Sequence, residues 1–525
     1  MAAGRTFYIT TPIYYVNDRP HLGHVYTSIL ADAAARLRRL RGEDAFLLSG
    51  TDEHAAKVVE TAREHGVGPQ EWADRNAVIF RETAARFGVE LDDFIRTSEP
   101  RHKAFAQQVL AELRTGPDVY LGEYEGWYDH GEEEYVPEAR AAELDFRSPV
   151  SGRPLVRRKE ENWFFRLSAY QDALLARLEE QPEAVLPAAR RNEVIGRIRQ
   201  GLHDVPISRT GGSDWGVPFP GAPGHQIYVW VEALLSYVTP VATPERRRYW
   251  PASVHLIAKD ILWFHAVIWP ALLLSLRKIP GSDWLALPRT VYCHSWWISE
   301  GQKMSKSLGN FVDLERLGSY ADDFGLDALR WFLVTQGPLG TVDRDFAQAR
   351  LVEVYNADLA NAVGNCWSRI VNMTQRFCAG RLPRVALHSP LREETEALLR
   401  AAPDPEDVLG VGEITKGIDL VRLIDAHIET TQPFKLAKQP GSETQVAEIL
   451  YTCAEAFRLA SLRLWPAMPG KMEEVWRRLG GEAYARRLAE RGRGELDAWS
   501  KWGGLPAGAE LHPGEPLFPR REVVS

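Results

Sequence analysis

The residues best suited to chemistry in this 525-residue chain are two histidines and two lysines far apart in sequence. His21-Leu22-Gly23-His24 falls where a loop turns into a helix, and there backbone N–H groups and the helix dipole favour an anion. Gly23 carries no Cβ, so a flat ring can lie against the backbone. The two histidines are three apart, on one side of a first helical turn, and could clamp one phosphate between two donors. The plainer alternative is a pair of capping histidines. About 280 residues further on stands Gly301-Gln302-Lys303-Met304-Ser305-Lys306-Ser307-Leu308-Gly309-Asn310. Of the 63 basic side chains only 12 are lysines. Two of these stand three apart in a Gly/Ser/Asn loop. A lysine is a compact, mobile point charge, suited to phosphate oxygens that move. The alternative is a solvated loop.

These groups need a frame. "TFYITT" is a β-branched and aromatic run, "PIYYVNDRPHLGH" a loop, "VYTSILADAAARLRRLRG" a helix stopped by glycine, and "AFLLSGTDEH" a short apolar strand. This alternation predicts a parallel sheet with ligands at the strand C-termini. From about residue 116 to 223 the chain turns aromatic, acidic and glycine-punctuated, which reads as an insertion. Near Ile227 the α/β pattern resumes. From about Val352 amphipathic helices dominate, a helical bundle by pattern. The Pro/Gly-rich stretch after Trp502 either wraps the body or frays. The expected division is 1–115 and 226–295 for the two halves of a Rossmann-like catalytic domain, and 116–225 for an inserted connective domain. A signature-loop region follows at 296–351, and a helical domain with its tail at 352–525.

Composition narrows the classes. At 45% hydrophobic and 26% charged the chain is an ordinary globular protein, long enough for two to four domains. A net charge of −8 argues against sequence-blind nucleic-acid coating and against an anionic membrane surface. The four cysteines, at 293, 366, 378 and 453, form no C-x-x-C pair, so neither zinc knuckle nor disulfide framework is visible. The N-terminus has no secretory pattern, and the apolar stretch from Ile261 to Leu276 is shorter than the ~18 residues a spanning helix needs. A cytoplasmic protein without membrane contact is expected.

Taken together, the His21–His24 and Lys303–Ser307 signals resemble the two signatures of class I aminoacyl-tRNA synthetases, the second matched at every position. The resemblance narrows to the methionyl-tRNA synthetase family over nearly the whole chain. It is carried by "TPIYYVNDRPHLGH", "GTDEH", "YLGEYEGWY", "NWFFRLSAYQDALL", "RRNEVI", "YVWVEALLSY", "AKDILWFHAVIWPALLL" and "KMSKSLGN", in that order. It implies an α/β Rossmann-like catalytic domain with an inserted domain, then an all-α anticodon-binding domain. The implied reaction is ATP-dependent ligation of L-methionine to tRNA(Met) through methionyl-adenylate, for initiation and elongation.

Residue roles follow from the resemblance. His21, Gly23, His24, Lys259, Asp260, Lys303 and Lys306 are expected to meet ATP, with magnesium. Both histidines and both signature lysines are expected to act in catalysis. Asp52 pairs with the substrate ammonium, and Ile13 and Tyr15 close over the side chain. Trp230, Ala233, Leu234 and Tyr237 share one helical face, and Ile261, His265 and Trp269 another. Alone these stripes read as core; with the resemblance they read as the walls of a thioether pocket. Asn365, Arg369 and Phe434 are expected at a CAU anticodon. The chain leaves no room for the extra dimerisation module of some family members, so a monomer is expected.

Several positions depart from the family pattern. Where a zinc knuckle carries cysteines, this chain has Asp129, Glu132, Ser148 and Ser151, a poor tetrahedral set, so no bound zinc is expected. Ala258 and Ala55 replace glycines, Glu232 replaces an aspartate, and Phe434 replaces a stacking tryptophan. These changes leave two competing readings, a diverged second-copy synthetase and a catalytically silent tRNA-binding paralogue. Methionine-dependent pyrophosphate exchange separates an enzyme from the silent paralogue.

Overall fold

The computed structural model describes residues 5–129, 134–136, 138–149, 151–210, 214–299, 301, 304, 311–382, 389–480, 486 and 499–521. Its centre is a six-stranded parallel sheet. The order is Asp93–Arg96, Asp44–Asp52, Thr6–Tyr15, Val254–Ala258, Thr290–His294 and Val185–Leu186. Parallel strands covered on both faces read as near-continuous apolar runs, and Ala45 through Asp52 are all buried. Side chains nevertheless alternate between two cores. Phe7, Ile9 and Leu47 join the core that holds the first helix and the C-terminal helices. Tyr8, Phe46 and Leu48 join the core on the other face.

The helix Leu22–Leu40 follows the first strand and is almost engulfed, with 16 of its 19 residues buried. A helix apolar on most of its circumference belongs inside. It packs on the sheet on one side and on the C-terminal helices on the other.

The stretch expected as one insertion, 116–225, divides in space. Four of its strands form an antiparallel sheet in the order Glu134–Val136, Val119–Asp129, Val156–Phe165, Val205–Pro206. A small separate core of Val136, Ala141 and Leu155 lies there. The same stretch also sends Val185–Leu186 back as an edge strand of the parallel sheet, beside Val291 and Tyr292. Two residues carry no periodicity, so the sequence pattern could not separate them from their surroundings.

From Leu314 onward the described elements are helices, apart from the two-residue strand Arg344–Asp345. The helix beginning at Gln348 continues to Cys378, its middle wound as π-helix over Tyr355–Gly364. Val411–Thr431 packs along Glu443–Leu464. The proline-rich tail wraps rather than frays. Glu455 and Arg458 form a fully buried ion pair. Glu455 accepts the N–H groups of Gly503, Gly504 and Leu505, and Arg458 donates to the carbonyls of Trp499 and Lys501. The pair thus satisfies tail backbone groups that burial would otherwise strand.

A second fully buried arginine joins the two halves of the molecule. Arg330 donates to Asp32 at 2.6 Å, to the carbonyls of Phe87 and Gly88, and to those of Pro466 and Ala467. Asp32 also accepts from Arg36 at 2.7 Å. Both guanidiniums hold the Asp32 carboxyl below its ordinary range against the upward pull of burial. Removing one partner of such a pair strands the rest in low dielectric. Arg330→Met is therefore expected to lower the unfolding free energy by about 3–5 kcal/mol, read by denaturant unfolding. A loss under ~1 kcal/mol would show that water replaces the guanidinium.

Candidate active site

The sheet order reverses between Thr6–Tyr15 and Val254–Ala258, and ligands of open α/β sheets bind outside the strand C-termini at such a point. A cavity of about 590 Å³ opens there. It is lined from the first strand by Ile13 and Tyr15, from the second by Asp52, and from the strand across the reversal by Ala258, with Asp260 just beyond it. In the strand pairing, Tyr15 lies opposite Asp52 and Ile13 opposite Gly50. The register shifts between Thr10 and Ile13, and such an irregularity re-aims the side chains beyond it. Gly50 is required where it stands, since a Cβ would lie 2.2 Å from the Ile95 carbonyl oxygen.

One end of the cavity is the N-terminus of the helix Leu22–Leu40. His21 is its N-cap, and the two histidines form a reciprocal capping box. His21 Nδ1 accepts the Gly23 N–H at 3.1 Å, and His24 Nδ1 accepts the His21 N–H at 3.1 Å. A backbone N–H can only donate, so each neutral ring carries its proton on Nε2. Burial, and secondly the neighbouring His21, push the His24 pKa well below the ordinary histidine range. Capping and phosphate donation, the two readings of this motif, are thus compatible. The caps consume the Nδ1 lone pairs and leave an Nε2–H on each of two rings 4.0 Å apart. Gly23 also has a steric reason, since a Cβ would sit 3.0 Å from His21 Cε1.

The other end is aromatic. Trp230, Ala233, Leu234 and Tyr237, from the helix Val229–Leu235 and the turn after it, all line the cavity, as do Ile261 and His265. Trp230 stacks on Phe264 at 3.8 Å and meets Tyr15 edge-on at 6.1 Å. His265 Nδ1 lies 2.9 Å from the Ile261 carbonyl and its Nε2 lies 2.8 Å from the Tyr237 hydroxyl. A carbonyl only accepts, so Nδ1 carries the proton and Tyr237 O–H donates to Nε2. Burial lowers the His265 pKa to about 4 and pushes that of Tyr237 up, so both are neutral near pH 7.

Two expected residues sit elsewhere. Trp269 is fully buried behind the wall and does not line the cavity; its indole N–H donates to His255 Nε2 at 3.2 Å. The segment Phe264–Ile268 is π-helical, which breaks the four-residue stripe that placed Trp269 on the face of Ile261 and His265. Lys259 does not line the cavity either, and its ammonium is bonded to Asp343. Lys303 and Lys306 lie outside the described residues, although Met304 between them lines the cavity.

The sequence reading missed His294, Trp296 and Phe311, which also line it. His294 ends a parallel strand, and the strand-end rule that marked Asp52 would have found it. Trp296 and Phe311 flank the signature loop and carried no signal of their own.

In the helical part, Arg369 is held by Asp425 at 3.1 Å and Glu429 at 2.5 Å, while Asn365 is exposed on the same helix. Phe434, five residues beyond Glu429 on the short helix Pro433–Leu436, is among the few exposed large apolar side chains of the described residues. In the insertion, Asp129 and Ser148 are buried, and Ser148 Oγ accepts the Ser151 N–H at 3.1 Å. Glu132 lies outside the described residues.

A family model described as tRNA synthetases class I (M) matches residues 7–144 and 141–371, which defines the class. Methionine–tRNA ligases of Caldanaerobacter subterraneus subsp. tengcongensis and Synechocystis sp. are each 38% identical to this chain. Each alignment covers 99% of this chain, with 79% and 98% of the respective relative. The structure of Mycobacterium tuberculosis methionyl-tRNA synthetase in complex with methionyl-adenylate superposes with a TM-score of 0.86 at 34% identity. That match covers 98% of this chain and all of the other. The chain belongs to the methionine–tRNA ligase family of class I tRNA synthetases.

The neutral state of His265 has a consequence for pH. A ring with pKa near 6.5 unfolded and about 4 folded takes up a proton on unfolding between those values. Its contribution is complete above pH 6.5 and is lost as pH falls toward 4. From this ring alone, unfolding free energy should drop by about 2 kcal/mol between pH 7 and pH 5. Urea unfolding of the wild type and His265→Asn at both pH values isolates it, because their difference should shrink by that amount.

Proposed function

We propose the following division of labour for the ATP-dependent ligation of L-methionine to tRNA that this chain catalyses. The aromatic end of the cavity takes the methionine side chain, where rings make favourable contacts with polarizable sulfur. Ile13 and Tyr15 close over it, and the neutral Tyr237–His265 pair presents no charge to the thioether. Asp52 holds the ammonium. ATP takes the helix end, with Asp260 at the ribose and the His21 and His24 Nε2–H groups on phosphate oxygens.

The methionine carboxylate attacks the α-phosphorus and pyrophosphate leaves. The terminal adenosine hydroxyl of tRNA then takes the acyl group, losing its proton as the bond to the adenylate breaks and AMP leaves. Such transfers need positioning and charge stabilisation more than covalent help. Lys303 and Lys306 follow the departing pyrophosphate oxygens. Donors that meet charge as it develops favour the transition state over the bound ground state.

The observation that carries this reading is one cavity with a buried carboxylate, Asp52, and both a neutral imidazole pair at a helix N-terminus and an aromatic well on its walls. Asp52→Ala would strand the bound ammonium. It is expected to raise the methionine KM in pyrophosphate exchange by about 10²-fold or more, the equivalent of roughly 3 kcal/mol, with the ATP KM little changed. An unchanged methionine KM would sink the assignment.

Among the described residues no group of three or more His, Cys, Asp or Glu side chains is placed to hold a metal. We take magnesium to arrive with ATP as part of the substrate. The insertion is proposed to be zinc-free, because its knuckle positions offer carboxylates and serines, and one serine already caps a turn. Elemental analysis of the purified protein should find less than about a tenth of an equivalent of zinc, and a chelator should leave the melting temperature unchanged. Stoichiometric zinc would refute this.

Asn365, Arg369 and Phe434 are proposed to read the CAU anticodon of tRNA(Met), Arg369 being pre-set by two carboxylates and Phe434 offering a stacking face. The domain division remains as given above, with Val185–Leu186 assigned to the catalytic sheet. The enzyme is proposed to act as a monomer in the cytoplasm. Among the described residues no helix is long and apolar enough to cross a membrane.

A further inference from the structure

Lys259 stands between two cavity-lining residues, Ala258 and Asp260, at the C-terminal end of a central strand. A free ammonium there would be an obvious phosphate ligand. Its Nζ instead donates to both oxygens of Asp343, at 2.7 and 2.9 Å, and lies 4.3 Å from the centroid of the Trp296 ring. Asp343 Oδ1 also accepts the Trp296 backbone N–H at 2.9 Å. The Trp296 indole N–H donates to Asp260 Oδ1 at 3.2 Å. These contacts close a ring: Asp343 to Lys259, along the chain to Asp260, across to Trp296 and back to Asp343.

The segment that presents Asp343 is itself lashed down. Ser295 N–H and its hydroxyl donate to the carbonyls of Pro338 and Gly340. Arg344 N–H donates to the Trp296 carbonyl and Phe346 N–H to the Ile298 carbonyl. The short parallel strands Trp297–Ile298 and Arg344–Asp345 result. One carboxylate therefore touches the end of the nucleotide strand and the backbone that runs into the signature loop.

We propose that Asp343 is a positioning residue for the nucleotide half of the site, and that Lys259 serves it as a strut rather than as a phosphate ligand. The inference rests on the reading of the cavity as an adenylate-forming site. The pair sets the ring and carboxylate that ATP meets, Trp296 and Asp260, in fixed relation. Its side chains are 23% and 29% exposed, and such an ion pair contributes little stability. Its role is geometric, so the variants should fold.

The test uses the full chain with Lys259→Met, Asp343→Asn, the double variant and Lys259→Arg, in methionine-dependent ATP–pyrophosphate exchange. Each single change is expected to raise the ATP KM about tenfold, with the methionine KM within about twofold and the melting temperature unchanged. The double variant should be no worse than either single one, because both remove the same interaction. Lys259→Arg, which keeps a cation in reach of Asp343, should stay near wild type. A loss of maximal rate of about 10²-fold in Lys259→Met with Asp343→Asn normal would make the lysine a phosphate ligand and overturn the proposal. Multiplying effects in the double variant, or an equal rise in methionine KM, would overturn it too. Absence of exchange in the wild type would instead defeat the functional reading, and this inference with it.

Discussion

The helix Leu22–Leu40 is the member on which the rest depends, and the Asp32–Arg330 ion pair is what fixes it. Its N-terminus must present His21 and His24 to one cavity, while its sides must serve as core for two halves of the molecule. A helix so thoroughly buried has no solvated face on which to slide. Its position is set at the middle by Asp32, whose two arginine partners come from the same helix and from the helical part of the chain. Arg330 also gathers carbonyls from residues 87–88 and 466–467. The histidine cap and the C-terminal helices are therefore tied to one buried network.

Charge is managed differently in the cavity. The described histidines at its walls are bonded through their ring nitrogens to groups that fix the proton's place. Backbone N–H groups take Nδ1 of His21 and His24, and a backbone carbonyl takes Nδ1 of His265. Burial keeps His24 and His265 neutral. The same residue type thus supplies Nε2–H donors at the helix end and an Nε2 acceptor, committed to Tyr237, at the aromatic end. The proposed occupants, an anionic triphosphate at one end and an uncharged thioether at the other, ask for that difference.

What was legible in the sequence was what repeats or what ends. Trp230, Ala233, Leu234 and Tyr237 obey a helical period, and the structure puts all four on the cavity. Asp52 ends an apolar strand, and it too is there. What was not legible came from local departures from a period. The π-helical turn at Phe264–Ile268 carries Trp269 behind the wall. Val185–Leu186 is too short to announce a strand, so its membership of the parallel sheet depends on partners about a hundred residues away. Lys259 is a further case. Its neighbours in sequence belong to the cavity, but its partner Asp343 arrives from another segment, and spacing carries no trace of such a contact. The tail could be read either way because its buried anchors, Glu455 and Arg458, lie in a helix that looks amphipathic in its own right.

The departures from the family pattern can be weighed by where they settle. Glu232 is fully buried, and its carboxylate lies 2.7 Å from His54 Nδ1, which joins the pocket helix to the residues following Asp52. Its longer side chain therefore finds a partner rather than a void. Ala55 is buried as the N-cap residue of the helix Ala56–Glu64, in an extended conformation that any residue adopts. Ala258 lies at the cavity wall with extended backbone (φ −89°, ψ 163°), so its methyl costs no strain. None of the three disturbs the cap, the strand-end carboxylate or the aromatic wall. The substitutions therefore settle beside the features on which the proposed ligation relies, and each is absorbed by a local partner or an unstrained backbone without displacing them.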